Sequence, residues 1–233
     1  MNSLLFKNEL NKLRGWSGEK KTTFNMWLSL DNSEYHRFHD VIIPGKNGTS
    51  QIDHLLVSQY GVFIVETKNR NGWIFGSEEQ SSWTQTLYRK KYSFQNPIRQ
   101  TFRQKKVLSA YLHLDEPSIH TVIYFVGDCK FKTDMPPNVI RSGLSSYIKQ
   151  YHNRIISPEE VDRILKKLND YFSESTLTTK DHIESLQGRH SSITVCPKCG
   201  SSLVQRTAKK GVNAGTKFLG CKNFPKCRFT KNV

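Results

Sequence analysis

Two apolar segments joined by a short turn make up residues 52–76, IDHLLVSQYGVFIVETKNRNGWIFG. Their β-branched and aromatic content predicts two adjacent strands that form an antiparallel hairpin. A two-residue turn at Gln59 and Tyr60 would pair Val57 with Val62. The segment therefore predicts a buried hairpin at the centre of the domain.

Charged residues interrupt this apolar hairpin at one end. Side chains alternate across a strand, so Glu66 and Lys68 share one face. Counting back from the turn places Asp53 opposite Glu66 and on the same face. A shift of one residue in the turn would send Asp53 to the other face, so its position depends on this register.

Two carboxylates held this close repel each other unless a cation compensates them. Lys68 supplies one positive charge. Carboxylate oxygens are also the ligands that Mg²⁺ or Mn²⁺ prefers. Two interpretations remain open from the residues alone, a divalent metal site and a satisfied network of Asp53, Glu66 and Lys68.

The segments around the hairpin mix the patterns of strands and helices, which predicts an α/β or α+β domain over residues 1–174. Helices are expected in the first 30 residues, after Pro97, and after Ser157. Capping residues mark the start of the helix that follows Ser157. Strands are expected at 34–45, 73–76, 82–94 and 119–127. Trp73 and Trp83 are expected in the core rather than on a base-stacking surface.

Basic residues outnumber acidic residues by 35 to 20, which gives a net charge of +15 and a pI near 9.6. Such a field attracts polyanions. No apolar run reaches the roughly 18 residues that a membrane span requires. A basic adaptor on a membrane is disfavoured because no suitable amphipathic helix is evident. We expect a soluble, cytoplasmic protein that binds nucleic acid, with the nucleoid as one possible location.

The last part of the chain has its own composition. Residues 175–194 are polar without clear periodicity and predict a linker before a module at 195–233. Residues 189–233 contain ten Lys and Arg and no Asp or Glu. Four cysteines in this region have the paired spacing of a tetrahedral zinc site: Cys196, Cys199, Cys221 and Cys227. We therefore predict structural Zn²⁺.

The sequence CPKCGSSLVQRTAKKGVNAGTKFLGCKNFPKCRFT resembles the zinc ribbons at the C-terminus of bacterial type I DNA topoisomerases, which implies binding of DNA. Aromatic residues between cations can stack on bases while the cations contact phosphates. The candidate contacts are Arg206, Lys209, Lys210, Phe218, Phe224 and Arg228. The phenylalanines have an alternative role in a small core of the ribbon.

An Asp followed about 13 residues later by Glu-x-Lys resembles the PD-(D/E)xK nuclease superfamily. More narrowly, residues 52–76, the upstream Gly-Glu at residues 18 and 19, and NPIRQ at residues 96–100 resemble the nuclease-related domain, NERD. The resemblance implies a restriction-endonuclease-like fold, a mixed sheet flanked by helices. It also implies metal-dependent hydrolysis of phosphodiester bonds.

Roles for individual residues follow from this resemblance. It implies that Asp53 and Glu66 hold Mg²⁺ or Mn²⁺ and that Lys68 orients water and stabilises phosphate charge. Glu19 would add a carboxylate, and Gln100 would support the site. Ile52 stands where the wider superfamily has proline, so the narrower assignment fits better.

Arg99, Arg103 and Lys106 follow one another at helical spacing on one flank of the helix that begins at Pro97. This flank is either a solvated face or a surface that contacts phosphates. The sequence thus predicts a nuclease that acts on single- or double-stranded DNA, with a zinc ribbon that binds the substrate. The alternative is a catalytically silent DNA-binding protein built on a nuclease-like scaffold.

Overall fold

A computed structural model describes residues 30–232 of the chain. The chain divides into two compact units. One unit contains Ile52–Glu174 together with the described residues up to Val41, and the other contains Ile42–Gln51 together with the residues from Ser175 onward. The helices predicted in the first 30 residues fall almost wholly outside the described residues.

The first sheet is mixed and has the strand order β1-β2-β3-β7-β9. Its strands are β1 (His36–Gly45), β2 (Gly48–Ser58), β3 (Gly61–Lys68), β7 (Ile119–Phe125) and β9 (Val139–Ile140). Strands β2 and β3 form the predicted hairpin, and Val57 pairs with Val62 as expected. Strand β3 pairs in parallel with β7, so the hairpin lies at the centre of the sheet.

The second sheet has the strand order β6-β5-β4-β8. Its strands are β4 (Gly72–Phe75), β5 (Ser82–Leu87), β6 (Lys90–Gln95) and β8 (Cys129–Phe131). The parallel pair β3 and β7 continues through short connections into the parallel pair β4 and β8. The chain therefore crosses from the first sheet to the second twice, and the two crossings lie side by side.

The placement of tryptophans in the second sheet corrects one expectation. Trp83 is fully buried and packs with Ile74 and Phe125, as predicted for a core residue. Trp73 is 50% exposed, so its prediction as a core residue was wrong. The reason is alternation, because Ile74 faces the core and its neighbour in the strand must face the other way.

Among the described residues, the first unit also contains three α-helices: α1 (Pro97–Leu112), α2 (Leu144–Lys149) and α3 (Pro158–Glu174). Helix α1 begins as predicted, with Asn96 accepting a hydrogen bond from the N–H of Ile98 and proline in the first turn. It packs on β3 and β7, on the face of the sheet that carries Glu66. This mixed α/β architecture, with sheets flanked by helices, agrees with the predicted fold class.

The opposite face of the first sheet carries an apolar core. Phe63, Val65 and Val122 lie fully buried there and pack with Leu144 and Ile148 of α2. Burial of such side chains contributes about 1.5–3 kcal/mol each. The two faces of β3 therefore differ, since one supports the core and the other carries charge next to α1.

The second unit contains helix α4 (Thr179–Ser191) and a three-stranded antiparallel sheet of β10 (Leu203–Thr207), β11 (Lys217–Cys221) and β12 (Thr230–Asn232). Helix α4 lies within the segment that was predicted to be an irregular linker. Thr178 and Asp181 form a capping box at its start. Polar contacts hold the helix in place. Thr49 Oγ1 lies 2.8 Å from His182 Nδ1, and the main-chain carbonyl of Thr49 accepts a hydrogen bond of 3.1 Å from Arg189 Nη2. Because these contacts are polar, the sequence of α4 lacks the regular spacing of apolar residues that predicts a helix.

Candidate functional site

Glu66 is the buried centre of a polar cluster at the carboxyl end of β3. Its side chain is 3% exposed. Lys68 Nζ lies 2.5 Å from Glu66 Oε1, and Gln100 Nε2 donates to the same oxygen at 2.8 Å. Gln104 Nε2 donates to Oε2 at 2.7 Å. Both oxygens of the buried carboxylate thus have partners, as a charge in this position requires.

Lys68 is held from two sides. Its Nζ donates to Gln100 Oε1 at 3.0 Å as well as to Glu66, and the side chain is 18% exposed. The Gln100 amide therefore bridges the ammonium group and the carboxylate, accepting from one and donating to the other. The cluster brings together three predicted site residues, Glu66, Lys68 and Gln100.

Asp53 lies beside the cluster on the neighbouring strand. Its Oδ2 accepts a hydrogen bond of 2.8 Å from the main-chain N–H of Thr67, the residue between Glu66 and Lys68. The paired register of the two strands ends one position earlier, at His54 and Val65. The Asp53 side chain thus bonds to β3 just beyond the last main-chain pair of the two strands. This hydrogen bond fixes the Asp53 carboxylate next to β3.

Gln104 is a member of the cluster that the sequence analysis missed. It follows Gln100 by four positions on α1, so both amides lie on the face of the helix that meets β3. That spacing is the signal that was available in the sequence. Glu19, the further carboxylate expected at this site, lies outside the described residues.

The donor set at this site suits a hard divalent cation. Asp53 and Glu66 offer carboxylate oxygens, which Mg²⁺ and Mn²⁺ prefer. Within residues 30–232, neither carboxylate belongs to a group of three or more side chains that could bind one metal ion. Mg²⁺ usually binds proteins through one or two carboxylates and retains water and phosphate ligands. Two carboxylates are therefore sufficient for this type of site.

His54 lies on the other face of β2, as alternation predicts. It is 6% exposed, and its Nδ1 lies 2.8 Å from Nδ1 of His39. Burial, followed by the nearby His39, lowers the pKa of His54 to about 4. Since the ring is neutral at pH 7, this pair adds no charge next to Asp53.

The basic flank of α1 has partners of its own. Lys106 forms an ion pair with Glu116, and Arg99 donates to the main-chain carbonyl of Glu79. Arg103 is partly buried. Lys106 and Arg99 thus have protein partners, and the flank stays predicted as either a solvated face or a surface that contacts phosphates.

The four predicted zinc ligands meet in the second unit. Their sulfur atoms all lie within 4.8 Å of one another, with Cys196 and Cys227 at 3.7 Å and Cys199 and Cys221 at 3.3 Å. A tetrahedral ion with bonds of about 2.3 Å requires sulfur separations of roughly 3.8 Å. Burial raises the pKa of the Cys196 and Cys227 thiols, so a cation is needed to stabilise the thiolates. The cluster fits structural zinc.

The predicted nucleic-acid contacts of the ribbon differ in exposure. Phe224 is 58% exposed, and the guanidinium of Arg206 lies 5.9 Å from its ring centroid. Lys209, Lys210 and Arg228 are exposed. Phe218 is partly buried in β11. Phe224 therefore has the exposure that base stacking needs, whereas Phe218 is only partly available.

Comparison with known proteins finds a family match in each of two separate parts of the chain. Residues 14–126 match the nuclease-related domain, NERD, and residues 193–233 match the topoisomerase DNA binding C4 zinc finger. Both matches agree with the resemblances seen in the sequence. No solved structure matches the chain. Among the described residues, no helix is both long and apolar enough to cross a membrane.

Individual relatives cover separate parts of the chain. An uncharacterized protein of Bacillus anthracis is 39% identical over 133 residues, which is 57% of this chain and 61% of that protein. DNA topoisomerase 1 of Methanothermobacter thermautotrophicus is 43% identical over 54 residues, 23% of this chain and 6% of the topoisomerase. DNA topoisomerase 1 of Helicobacter pylori is 30% identical over 85 residues, 32% of this chain and 11% of that enzyme.

Proposed function

We propose that this chain, which combines a nuclease-related domain with a topoisomerase-type zinc finger, is a metal-dependent nuclease that hydrolyses DNA phosphodiester bonds. The observation that best supports the proposal is the cluster of Glu66, Lys68 and Gln100, with Asp53 fixed beside it. Asp53 and Glu66 would hold Mg²⁺ or Mn²⁺, which supplies positive charge to the scissile phosphate. Zinc in the ribbon would be structural.

Lys68 would stabilise the negative charge that develops on the phosphate and orient the attacking water. Its ammonium group is already held by Glu66 and Gln100, so little reorganisation is needed during the reaction. The side chain is largely removed from water, which strengthens its field at the reacting atoms. Gln100 is a positioning residue that sets the direction of the ammonium group.

The ribbon would bind the DNA substrate. Its exposed cations, Arg206, Lys209, Lys210 and Arg228, are suited to phosphate oxygens, and the exposed ring of Phe224 is suited to base stacking. The topoisomerase match over residues 193–233 supports the same role. We propose that residues 1–174 carry the chemistry and that residues 195–233 hold the substrate.

One observation favours a second candidate, a catalytically silent DNA-binding protein. The Glu66 carboxylate has protein partners at both oxygens, Lys68 and Gln100 at one and Gln104 at the other. A network that is satisfied without metal is also what a structural role requires. In that case the nuclease-like unit would be a scaffold.

Cleavage of circular DNA distinguishes these two functions. Purified full-length chain would be incubated with single- and double-stranded circles in Mg²⁺, Mn²⁺ or EDTA. The proposal expects nicking or degradation with a divalent cation, none in EDTA, and none from Asp53→Asn, which retains the size of the side chain. DNA binding without cleavage under all of these conditions would establish the scaffold function instead.

A further inference from the structure

The outer face of the second sheet combines an exposed indole with cations. Trp73 on β4 aligns with Lys130 on β8 and with Thr86 on β5. Thr86 in turn aligns with Lys91 on β6. Since directly aligned residues of neighbouring strands point to the same side, these four residues form one row across the whole sheet.

Trp73 contributes little to the core of the protein. Its neighbour Ile74 and Trp83 on β5 are fully buried on the other side of the sheet. Trp73 itself is 50% exposed. Lys132 Nζ lies 4.6 Å from the centroid of the Trp73 ring. A large exposed indole beside a lysine is typical of a surface that binds a partner.

The charge of this face indicates what the partner is. The four strands of the sheet contain Lys90, Lys91 and Lys130 and no Asp or Glu. Directly outside β8, Lys132 adds a positive charge after the strand and the exposed Asp128 a negative charge before it, so lysines remain in excess. A polyanion with exposed aromatic rings matches both the charges and the indole, and an unpaired nucleic-acid strand has this chemistry. A duplex would match only the charges, because its bases are stacked inside.

We propose that the lysine-tryptophan face, formed by Trp73, Thr86, Lys91, Lys130 and Lys132, binds single-stranded nucleic acid. A base stacks on the exposed side of Trp73, and the lysines contact the flanking phosphates. Thr86 supplies a hydroxyl between the indole and Lys91. These groups do not distinguish ribose from deoxyribose. The face is therefore a second nucleic-acid site, separate in sequence from the zinc ribbon.

The lysine-tryptophan face is connected to the candidate active site by a short segment. Trp73 follows Lys68 by five positions, so their Cα atoms are at most about 18 Å apart. A strand bound at Trp73 would be held close to Lys68 and Glu66. This consequence rests on the proposed nuclease function, whereas binding at the face does not.

Binding of labelled oligo(dT) and oligo(rU) to the full-length chain, in buffer without Mg²⁺ or Mn²⁺ and without a chelator, tests the proposal apart from cleavage and retains the zinc of the ribbon. We expect Trp73→Ala to raise the Kd for at least one of these single strands about tenfold, the scale of one lost base stack. Trp73→Phe should restore most of the affinity, since it retains an aromatic face. For a duplex of equal length, Trp73→Ala should change the Kd less than twofold, within roughly 0.4 kcal/mol.

Lysine variants provide the matched control. Lys132→Gln should weaken binding of the single strand and reduce the salt slope of log K by about 0.7. Lys167→Gln removes the same charge from a similar contact, since Lys167 Nζ lies 5.0 Å from the Tyr111 ring centroid on α3 and α1, and it should leave binding unchanged. Thermal melts verify that each variant is folded. An unchanged Kd in Trp73→Ala, an equal loss on duplex, or equal effects of Lys132→Gln and Lys167→Gln would overturn the proposal.

Discussion

Lys68 and Glu66 lie two positions apart on β3 and form an ion pair, with Nζ 2.5 Å from Oε1. Their side chains are only 18% and 3% exposed, so the pair is largely withdrawn from water. Removal of one partner leaves the other charge buried without compensation. The pair therefore couples the stability of the first unit to the chemistry of the candidate site.

The first prediction concerns the energy of this pair. We expect Glu66→Gln and Lys68→Met each to lower the free energy of unfolding by roughly 3 kcal/mol, because each leaves a group buried without its partner. The double variant should lose less than the sum of the two. Urea denaturation of all four proteins measures the coupling. Additive losses would show that the two side chains do not stabilise each other.

The second prediction separates the two glutamines of α1. Gln100 contacts both Lys68 and Glu66, whereas Gln104 donates to the other oxygen of Glu66. We expect Gln100→Leu and Gln104→Leu to cost about 1–3 kcal/mol of stability each, but cleavage should fall further in Gln100→Leu. Turnover measured beside urea melts makes the comparison. Equal losses of turnover at equal stability would assign Gln100 a purely structural role.

The third prediction concerns pH. The pKa of His54 is lowered to about 4 in the folded protein, from about 6.5 in an unfolded chain. The unfolded state therefore binds the proton first as pH falls, and His54 reduces stability progressively between about pH 6.5 and pH 4, by roughly 3 kcal/mol in total. His54→Gln should flatten the stability profile in this window. The exposed His152→Gln is the control, and an equal flattening in both variants would contradict the assignment.

The fourth prediction concerns zinc. The purified chain should contain about one zinc ion, and the paired change of Cys196→Ser and Cys199→Ser should abolish it, because two thiolates cannot complete a tetrahedral site. Cys129 is buried in the first unit and lies outside the cluster. Cys129→Ser should therefore retain the metal. Metal analysis by mass spectrometry checks both, and zinc retained by the paired variant would disprove the four-cysteine site.

The fifth prediction concerns the ribbon as a DNA anchor. Lys209 and Lys210 are both exposed. Their combined change to Gln should weaken DNA binding and reduce the salt slope of log K by about 1.5 if both contact phosphates. Lys180→Gln, on the exposed side of α4, should have little effect. Titrations at several salt concentrations provide the slopes, and an unchanged slope in the double variant would exclude these two lysines as contacts.

The hairpin and its register could be predicted from the sequence because a two-residue turn between two apolar segments leaves few alternatives. Strand alternation placed Lys68 beside Glu66, whereas Gln100 was placed at the site by family resemblance, since no local pattern connects residues 32 positions apart. Gln104 was available only through its spacing from Gln100. Trp73 was misassigned because an apolar four-residue strand does not reveal which of its faces meets the core.

Helix α4 shows a different limit of sequence analysis. Its anchors are polar contacts between His182 or Arg189 and Thr49, more than 130 positions away. Such contacts do not require regularly spaced apolar residues, so the local sequence shows no helical pattern. Only the capping pair at Thr178 and Asp181 indicates where the helix begins. A local pattern can predict where a helix starts, but not the distant residues that hold it in place.

The parallel pairing of β3 with β7 has a consequence for synthesis of the protein on the ribosome. Val62 pairs with Ile119, 57 positions later in the chain (119 minus 62). The β2–β3 hairpin emerges first, with the outer edge of its apolar second strand unpaired until β7 has been translated. An open edge of this kind favours pairing with other nascent chains. We therefore expect the growing chain to be most prone to aggregation, and most dependent on chaperones, in the interval before β7 leaves the exit tunnel.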